Sequence, residues 1–268
     1  MSWTSEERVL LGDLADEQWR EVDSGESAAR VHASEGERLY AKLVPMEGIA
    51  DLAAERDRTR WAGGHGIPGP RVAHWAANAD GACLVTTAVP GVPADQVDRS
   101  HARQVWASVV RAARGLHATA ISDCPFDRGL QHMAATAADV VSRGAVSPEF
   151  LRPEQEHVDP RDLLTALESE LPAQLEREAG DLVVCHGDLC LPNVLVDPDS
   201  LEVTGFIDLG RLGLADRHAD LSLLLANSGD TWPELAETFA DSLEPLYGHP
   251  VDADRLRFHL QLDPLTWG

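Results

Sequence analysis

Lysine is almost missing from this chain. Of 22 basic residues in 268, 21 are arginine and Lys42 alone is lysine. A bias toward arginine accounts for the scarcity but not for where the one lysine stands. Positive charge is short as well, since 45 acidic residues against 22 basic leave a formal charge of −23. Such a surface disfavours nucleic acid and anionic membrane and draws cations toward any cleft, although plain solubility is the simpler reading of the same charge. No apolar run approaches the ~20 residues needed to span a bilayer. The opening MSWTSEERVLLGDL also lacks the basic and apolar regions of a signal peptide, so a cytoplasmic location is expected. Four cysteines (Cys83, Cys124, Cys185, Cys190) are too few for a disulfide scaffold and are expected to be thiols.

What is present reads as two textures. Residues 19–44 contain three short strand patterns, WREVD, SAARVHA and RLYAKLVP, separated by turn-like Ser24-Gly25-Glu26 and Ser34-Glu35-Gly36-Glu37. In the third, alternation sets Leu39, Ala41 and Leu43 on one face and Tyr40, Lys42 and Val44 on the other. A helix is expected from Gly48 to Trp61, ended by Gly63-Gly64, and it places Glu55 near its inward stripe. PRVAHWA and ACLVTT complete a small sheet with one helix over residues 1–87. The run Ala88-Val89-Pro90-Gly91-Val92-Pro93 then breaks the pattern and is expected to be a hinge at 88–93. From 94 to 268 the texture is helical, with a stripe at Val105, Val109, Val110, Ala113 and Leu116 and further helices in DLLTALESEL, ADLSLLLANS and PELAETFADSLEPLY. Inside that half lies a strand, LVVC, followed by a hairpin, NVLVD and LEVTGFID around Pro198-Asp199-Ser200. The fold class expected is α+β: a two-lobed protein-kinase-like fold with a small β-rich N-lobe and a larger, mainly helical C-lobe.

The chemistry concentrates in HGDLCLPN (186–193) and IDLGR (207–211). Phosphoryl transfer needs metal on the phosphate oxygens, a cation on the phosphates and a group that positions the attacking hydroxyl. An Asp, four intervening residues and an Asn, with Asp-x-Gly further on, is the kinase arrangement. Here those residues are Asp188, Asn193 and Asp208-Leu209-Gly210. Hard oxygen ligands of this kind suit Mg²⁺. Lys42, on the third strand and thirteen residues before the helical Glu55, supplies the phosphate-binding lysine and its carboxylate. The turn at Ser24-Gly25-Glu26-Ser27 would cover the phosphates, with Ser27 as a hydrogen-bond donor, although it lacks the full G-x-G-x-x-G.

The same residues allow four other readings. A protein kinase would need a long segment after Asp-x-Gly to dock a polypeptide, and here IDLGR runs almost directly into LADRHADLSLLL; no protein substrate is expected. A zinc protein using Cys185, His186 and Cys190 lacks a second ligand cluster. A non-catalytic pseudokinase would usually have lost the lysine, the base or a metal ligand, and all are present. A kinase for choline, homoserine or a sugar differs only in its acceptor.

HGDLCLPNVLVD, GFIDLGRLGLADRHADLSLLL and the hinge LVTTAVPGVPA resemble the aminoglycoside phosphotransferases along the whole chain. GACLV, AVPGVPA, VVCHGD, IDLGRLG and the ending LDPLTWG are similar, more narrowly, to the streptomycin 3''-phosphotransferase branch. The resemblance implies ATP and Mg²⁺ as cofactors and a cationic aminoglycoside as the acceptor, modified at a hydroxyl with antibiotic resistance as the result. It implies Asp188 as catalytic base, Asn193 and Asp208 as metal ligands, and Lys42 with Glu55 on the nucleotide phosphates. Adenine would meet the linker near Thr87 and Val89. Asp220 would brace the catalytic loop, with helix N-terminal stabilisation as the alternative. Streptomycin carries guanidinium groups, which call for carboxylates and an aromatic face. Asp263, Trp267 and the terminal carboxylate of Gly268 are therefore expected to help enclose it. The alternative is that Trp267 only packs the C-terminal helix. His117 is expected to be a hydrogen-bonded helix residue, and Asp216 carries no assignment.

Overall fold

A computed structural model describes residues 3–22 and 29–268. By contact density the chain divides into two units. The first takes the chain up to Val92 together with Leu195–Asp197 and Thr204–Gly210; the second takes Pro93–Val194, Pro198–Val203 and Arg211–Gly268.

The first unit opens with a helix, α1 (Ser5–Leu11), where the sequence reading saw no element. Its signal is local: Thr4 Oγ1 accepts from Glu7 N, and the Glu7 carboxylate accepts from Thr4 N at 2.8 Å, a reciprocal capping box. Then come β1 (Trp19–Glu21), β2 (Arg30–Ser34), β3 (Leu39–Pro45), α2 (Ile49–Gly64), β4 (Val72–Asn78) and β5 (Gly81–Thr87). The strands form one antiparallel sheet in the order β1-β2-β3-β5-β4. Alternation along β3 sorts its residues between two layers, as the period-2 pattern requires. Ala41 and Leu43 join Leu10, Leu11 and Trp19 beneath α1. Val44 lies with Leu52 and Leu84 on the α2 side. The unit is therefore a sheet covered by two helices rather than one. Lys42 shares the α2 face, which is why it can reach Glu55.

The chain passes into the second unit within a two-residue strand, β6 (Val92–Pro93). This unit holds α3 (Ala102–His117), α4 (Leu130–Ser142) and α5 (Pro160–Glu178), then β7 (Leu182–Cys185). All five apolar positions of the expected α3 stripe are buried. A hairpin follows, β8 (Val194–Val196) and β9 (Val203–Phe206). Its turn counts with the second unit, whereas Leu195–Asp197 and Thr204–Gly210 belong to the first, where Phe206 N donates to Pro68 O at 2.9 Å and Thr204 Oγ1 to Pro90 O. Those bonds carry Asp208 into the same unit as Lys42, although the two are 166 residues apart in sequence.

The hairpin is followed by β10 (Gly213–Asp216), which pairs antiparallel with β7 and has no counterpart in the sequence reading. α6 (Arg217–Thr231), α7 (Ala236–Tyr247) and α8 (Ala253–Leu262) close the chain, with a 3-10 turn at Asp263–Thr266. Leu130, Met133, Leu167, Phe258, Leu262 and Leu265 form the core that joins α4, α5, α8 and that last turn. Among the described residues, no helix is long and apolar enough to cross a membrane.

Candidate active site

In the first unit, Lys42 Nζ lies 2.8 Å from Glu55 Oε2 and 3.2 Å from Asp208 Oδ1. Burial works against the ammonium charge, but the Glu55 and Asp208 carboxylates outweigh it and hold the Lys42 pKa above its ordinary value. Lys42 thus stays a fixed cation at any physiological pH. Asp208 is held in the left-handed region, at φ 59°. A non-glycine residue there is strained, a feature that collects at functional sites. Its side chain is still 50% exposed, so the carboxylate remains open to a ligand while Glu55 does the holding. At the end of β5, Thr87 N donates to Arg71 O at 2.8 Å and its hydroxyl accepts from Arg71 N. Val89 is half-buried beside Gly205, where a Cβ would stand 2.9 Å from Val89 Cγ1. Ser27 and the phosphate-covering turn lie outside the described residues.

In the second unit, β7 delivers His186-Gly187-Asp188. Asn193 Nδ2 donates to Asp188 Oδ2 and to the Asp188 carbonyl, each at 2.9 Å. Cys190 Sγ lies 3.6 Å from the other carboxylate oxygen, Oδ1. The half-buried Asp188 carboxylate is therefore oriented from within its own loop. Gly187 adopts φ 83°, and a Cβ on it would stand 2.1 Å from the Arg211 carbonyl oxygen. Only glycine fits that position.

Asp220, fully buried on α6, takes the bracing role rather than the helix-terminal one. Its Oδ1 accepts from Gly187 N at 2.8 Å and its Oδ2 from His186 N at 2.7 Å. His117 Nε2 lies 3.0 Å from the same Oδ2, and its Nδ1 lies 2.8 Å from the Tyr247 hydroxyl. An ionised carboxylate can only accept, so Nε2 is the donor in the bond to Asp220. Burial pushes the Asp220 pKa up, but the His117 bond and the loop amides outweigh it and hold the carboxyl below its usual range. His117 is a hydrogen-bonded helix residue, as its sequence context suggested.

Asp216 belongs to a separate buried network. It accepts from Arg255 Nε at 2.8 Å and His218 Nδ1 at 2.7 Å, with His259 Nε2 at 3.3 Å. Burial opposes its charge, and the bonds from His218 and His259 override it to hold the pKa far below the ordinary value. Together with Asp220 this sets a pH dependence. Both carboxyls have folded-state pKa values below their unfolded ones, so their contribution is present above the ordinary aspartate value of ~3.9 and is lost as pH falls through the folded values. Burial also lowers the pKa of His32, so the unfolded chain takes up that proton first, below about 6.5. Acidification is expected to lower the urea midpoint gently below about pH 6.5 and steeply below about pH 4. A midpoint that stays flat across both ranges would contradict these assignments.

All four cysteines are free. Burial pushes the Cys83 thiol up to about 12 and those of Cys185 and Cys190 well above the ordinary value. Cys185 Sγ contacts the Asp216 carbonyl while Cys190 Sγ faces Asp188, so the two do not share a metal with His186. The ligating atoms of His117, Cys185 and Asp220 lie within 4.8 Å of one another. The hydrogen bonds of Asp220 account for that grouping.

At the C-terminus, Asp263 is buried and already engaged. Its Oδ1 pairs with Arg128 at 3.1 Å and Arg211 at 3.3 Å, and its Oδ2 accepts from Trp267 Nε1 at 3.0 Å. The carboxylate expected to meet a cationic substrate faces two of the protein's own guanidiniums. Trp267 is half-buried, with Arg211 Cζ 3.6 Å from its ring centroid, and Gly268 is exposed. Neither Arg128 nor Arg211 was singled out in the sequence. The only local signal was the arginine that follows Asp-Leu-Gly.

A permanently charged lysine beside an open carboxylate can hold phosphate and its counter-ion, and an oriented aspartate on a braced loop can accept a hydroxyl proton. That is the chemistry of a kinase-like phosphotransferase. The chain belongs to the Phosphotransferase enzyme family, whose model matches residues 18–259. It is 55% identical to a streptomycin 3''-kinase of Streptomyces griseus, across 93% of each chain. It is 42% identical to an aminoglycoside 3'-phosphotransferase of Streptomyces fradiae, over 92% of this chain and 94% of that one. The aminoglycoside phosphotransferase APH(3'')-Id of Streptomyces rimosus, solved in complex with ADP and streptomycin, superposes with a TM-score of 0.92 at 45% identity and covers 100% of both chains. More distant APH(4)-Ia, at 17% identity and TM-score 0.70, shares the fold.

Proposed function

We propose that this protein transfers the γ-phosphoryl group of ATP to the 3''-hydroxyl of streptomycin and so confers resistance to it. The observation that carries the phosphoryl-transfer chemistry is the Asp188 carboxylate pinned by Asn193 on the H-G-D loop. Likeness to the Streptomyces griseus enzyme supports the acceptor and the hydroxyl. The negative surface suits a cationic substrate, and a cytoplasmic location matches where ATP is available.

The Asn193 amide oxygen and the Asp208 carboxylate are each hard donors of the kind Mg²⁺ takes, and a bound ion would neutralise charge on phosphate oxygens. Lys42, held by Glu55, binds the nucleotide phosphates as a fixed cation, and the linker near Thr87 and Val89 receives the adenine. Asp188 orients the acceptor hydroxyl and takes its proton at a carboxylate oxygen as the new O–P bond forms and the bond from the γ-phosphorus to the bridging oxygen of ADP breaks, so that ADP leaves. Transfer is direct and in line, with positioning and charge stabilisation supplying most of the rate. Trp267 and Gly268 enclose the acceptor, with Asp263 acting behind them.

The test is turnover of purified protein with Mg·ATP and a panel of streptomycin, other aminoglycosides, choline and homoserine, with the product phosphate located by NMR. Streptomycin is expected to be consumed and phosphorylated at the 3'' position. Turnover confined to choline or homoserine, or ATP hydrolysis without an acceptor, would refute the proposal.

A further inference from the structure

Asp263 is 6% exposed, yet it shares one carboxylate between two arginines from distant parts of the chain. Arg211 also donates through Nη2 to the Thr266 carbonyl at 3.0 Å and the Thr266 hydroxyl at 2.9 Å. Its guanidinium therefore grips both ends of the Asp263–Thr266 turn and stacks on Trp267. The two arginines converge on Gly187, the glycine of H-G-D. A Cβ there would lie 2.1 Å from the Arg211 carbonyl oxygen and 2.7 Å from Cδ and Nε of Arg128. Arg128 is itself only 8% exposed.

A buried guanidinium and a partly exposed one around a single carboxylate are a costly way to end a helix, since desolvation of the charges is recovered only when all three stay in place. Ordinary helix termination needs none of this. What the arrangement does provide is a floor under the catalytic loop. The Arg211 backbone and the Arg128 side chain form the surface on which Gly187 sits, and Asp188 is the next residue.

We infer that Asp263 is a positioning residue for phosphoryl transfer: through Arg128 and Arg211, its carboxylate holds the Gly187 backbone so that Asp188 stays aligned. This rests on the phosphotransferase reading given above. Without the carboxylate, the two guanidiniums lose their shared counter-charge, repel each other and move toward water, and the floor of the loop moves with them. A displacement of about 1 Å at a reacting group costs roughly 100-fold in rate. Asp263 therefore acts on kcat and not as a direct ligand of the antibiotic.

Asp263→Asn keeps the shape and removes the charge. The expected result with streptomycin is a fall in kcat of about 10- to 100-fold, with both KM values within about threefold of wild type. Unchanged kcat, or a large rise in streptomycin KM with kcat kept, would overturn the inference. Hydrogen exchange of the whole protein adds a readout that needs no acceptor, and so decides the role of Asp263 even if no aminoglycoside is phosphorylated. Amides of residues 186–193 are expected to exchange faster in the variant while those of α3 do not. An unchanged loop, or a uniform rise that includes α3, would mark Asp263 as merely structural. If Asp263→Asn fails to fold, Arg211→Lys keeps the charge but cannot bridge Asp263 and Thr266 together. It is expected to give the same kcat loss and loop-confined exchange, and wild-type behaviour in both would overturn the inference.

Discussion

Asp188→Asn is expected to lower kcat by about 10²- to 10⁴-fold, the range a positioned general base contributes, while ATP affinity stays within about threefold of wild type. The substitution is shaped to remove basicity alone. An amide oxygen at 188 still accepts from Asn193 Nδ2, which lies 2.9 Å from the native Oδ2, so the loop keeps its internal bond. The cluster of Lys42, Glu55 and Asp208 is made without any atom of Asp188. Steady-state kinetics beside calorimetric ATP binding separates the two effects. A variant turning over within about threefold of wild type would remove Asp188 from the proton-accepting role.

Asp220→Ala is expected to have the largest effect on stability of any single substitution in the loop's support. It strands three buried donors at once: the amides of His186 and Gly187, and His117 Nε2. Removing one partner of a buried charged set costs about 3–5 kcal/mol, against a total stability of about 5–15 kcal/mol for a typical protein. For a chain of this size the Tm should fall by roughly 10 °C or more. Activity of the surviving folded protein, assayed well below that Tm, should fall too, because the H-G-D backbone loses its anchor. Asp220→Asn is not a rescue, since its NH₂ group would face one of the donors that the carboxylate accepts. A Tm within about 2 °C of wild type, by calorimetry, would show that the donors find other partners.

The readable parts of the site were those encoded by short spacing. H-G-D-x4-N places Asp188 and Asn193 within one loop, and thirteen residues from a strand lysine to a helical glutamate place Lys42 against Glu55. Even α1 was legible in principle, because Thr4 and Glu7 spell a capping box three residues apart. It was overlooked because the helix is only seven residues long and its periodic stripe is correspondingly brief. β10 escaped for a similar reason: Gly213–Asp216 is four residues with no turn signal of its own, and it exists as a strand because β7 offers a partner edge.

The acids tell the other half. Forty-five aspartates and glutamates look alike in sequence, and their roles depend on what the fold brings to them. Asp220 braces backbone amides 33 and 34 residues away, Asp263 pairs with an arginine 135 residues away, and Asp208 meets a lysine at a separation of 166. Local pattern was enough for the strand that carries Lys42, the H-G-D loop and the helical texture of the later chain, because alternation, helical period and motif spacing are local properties. Which carboxylates stay open for a ligand and which are spent on the protein's own donors depends on the fold. Desolvation makes that choice: a buried carboxylate persists only where long-range folding delivers its hydrogen-bond partners, and no local pattern records their arrival.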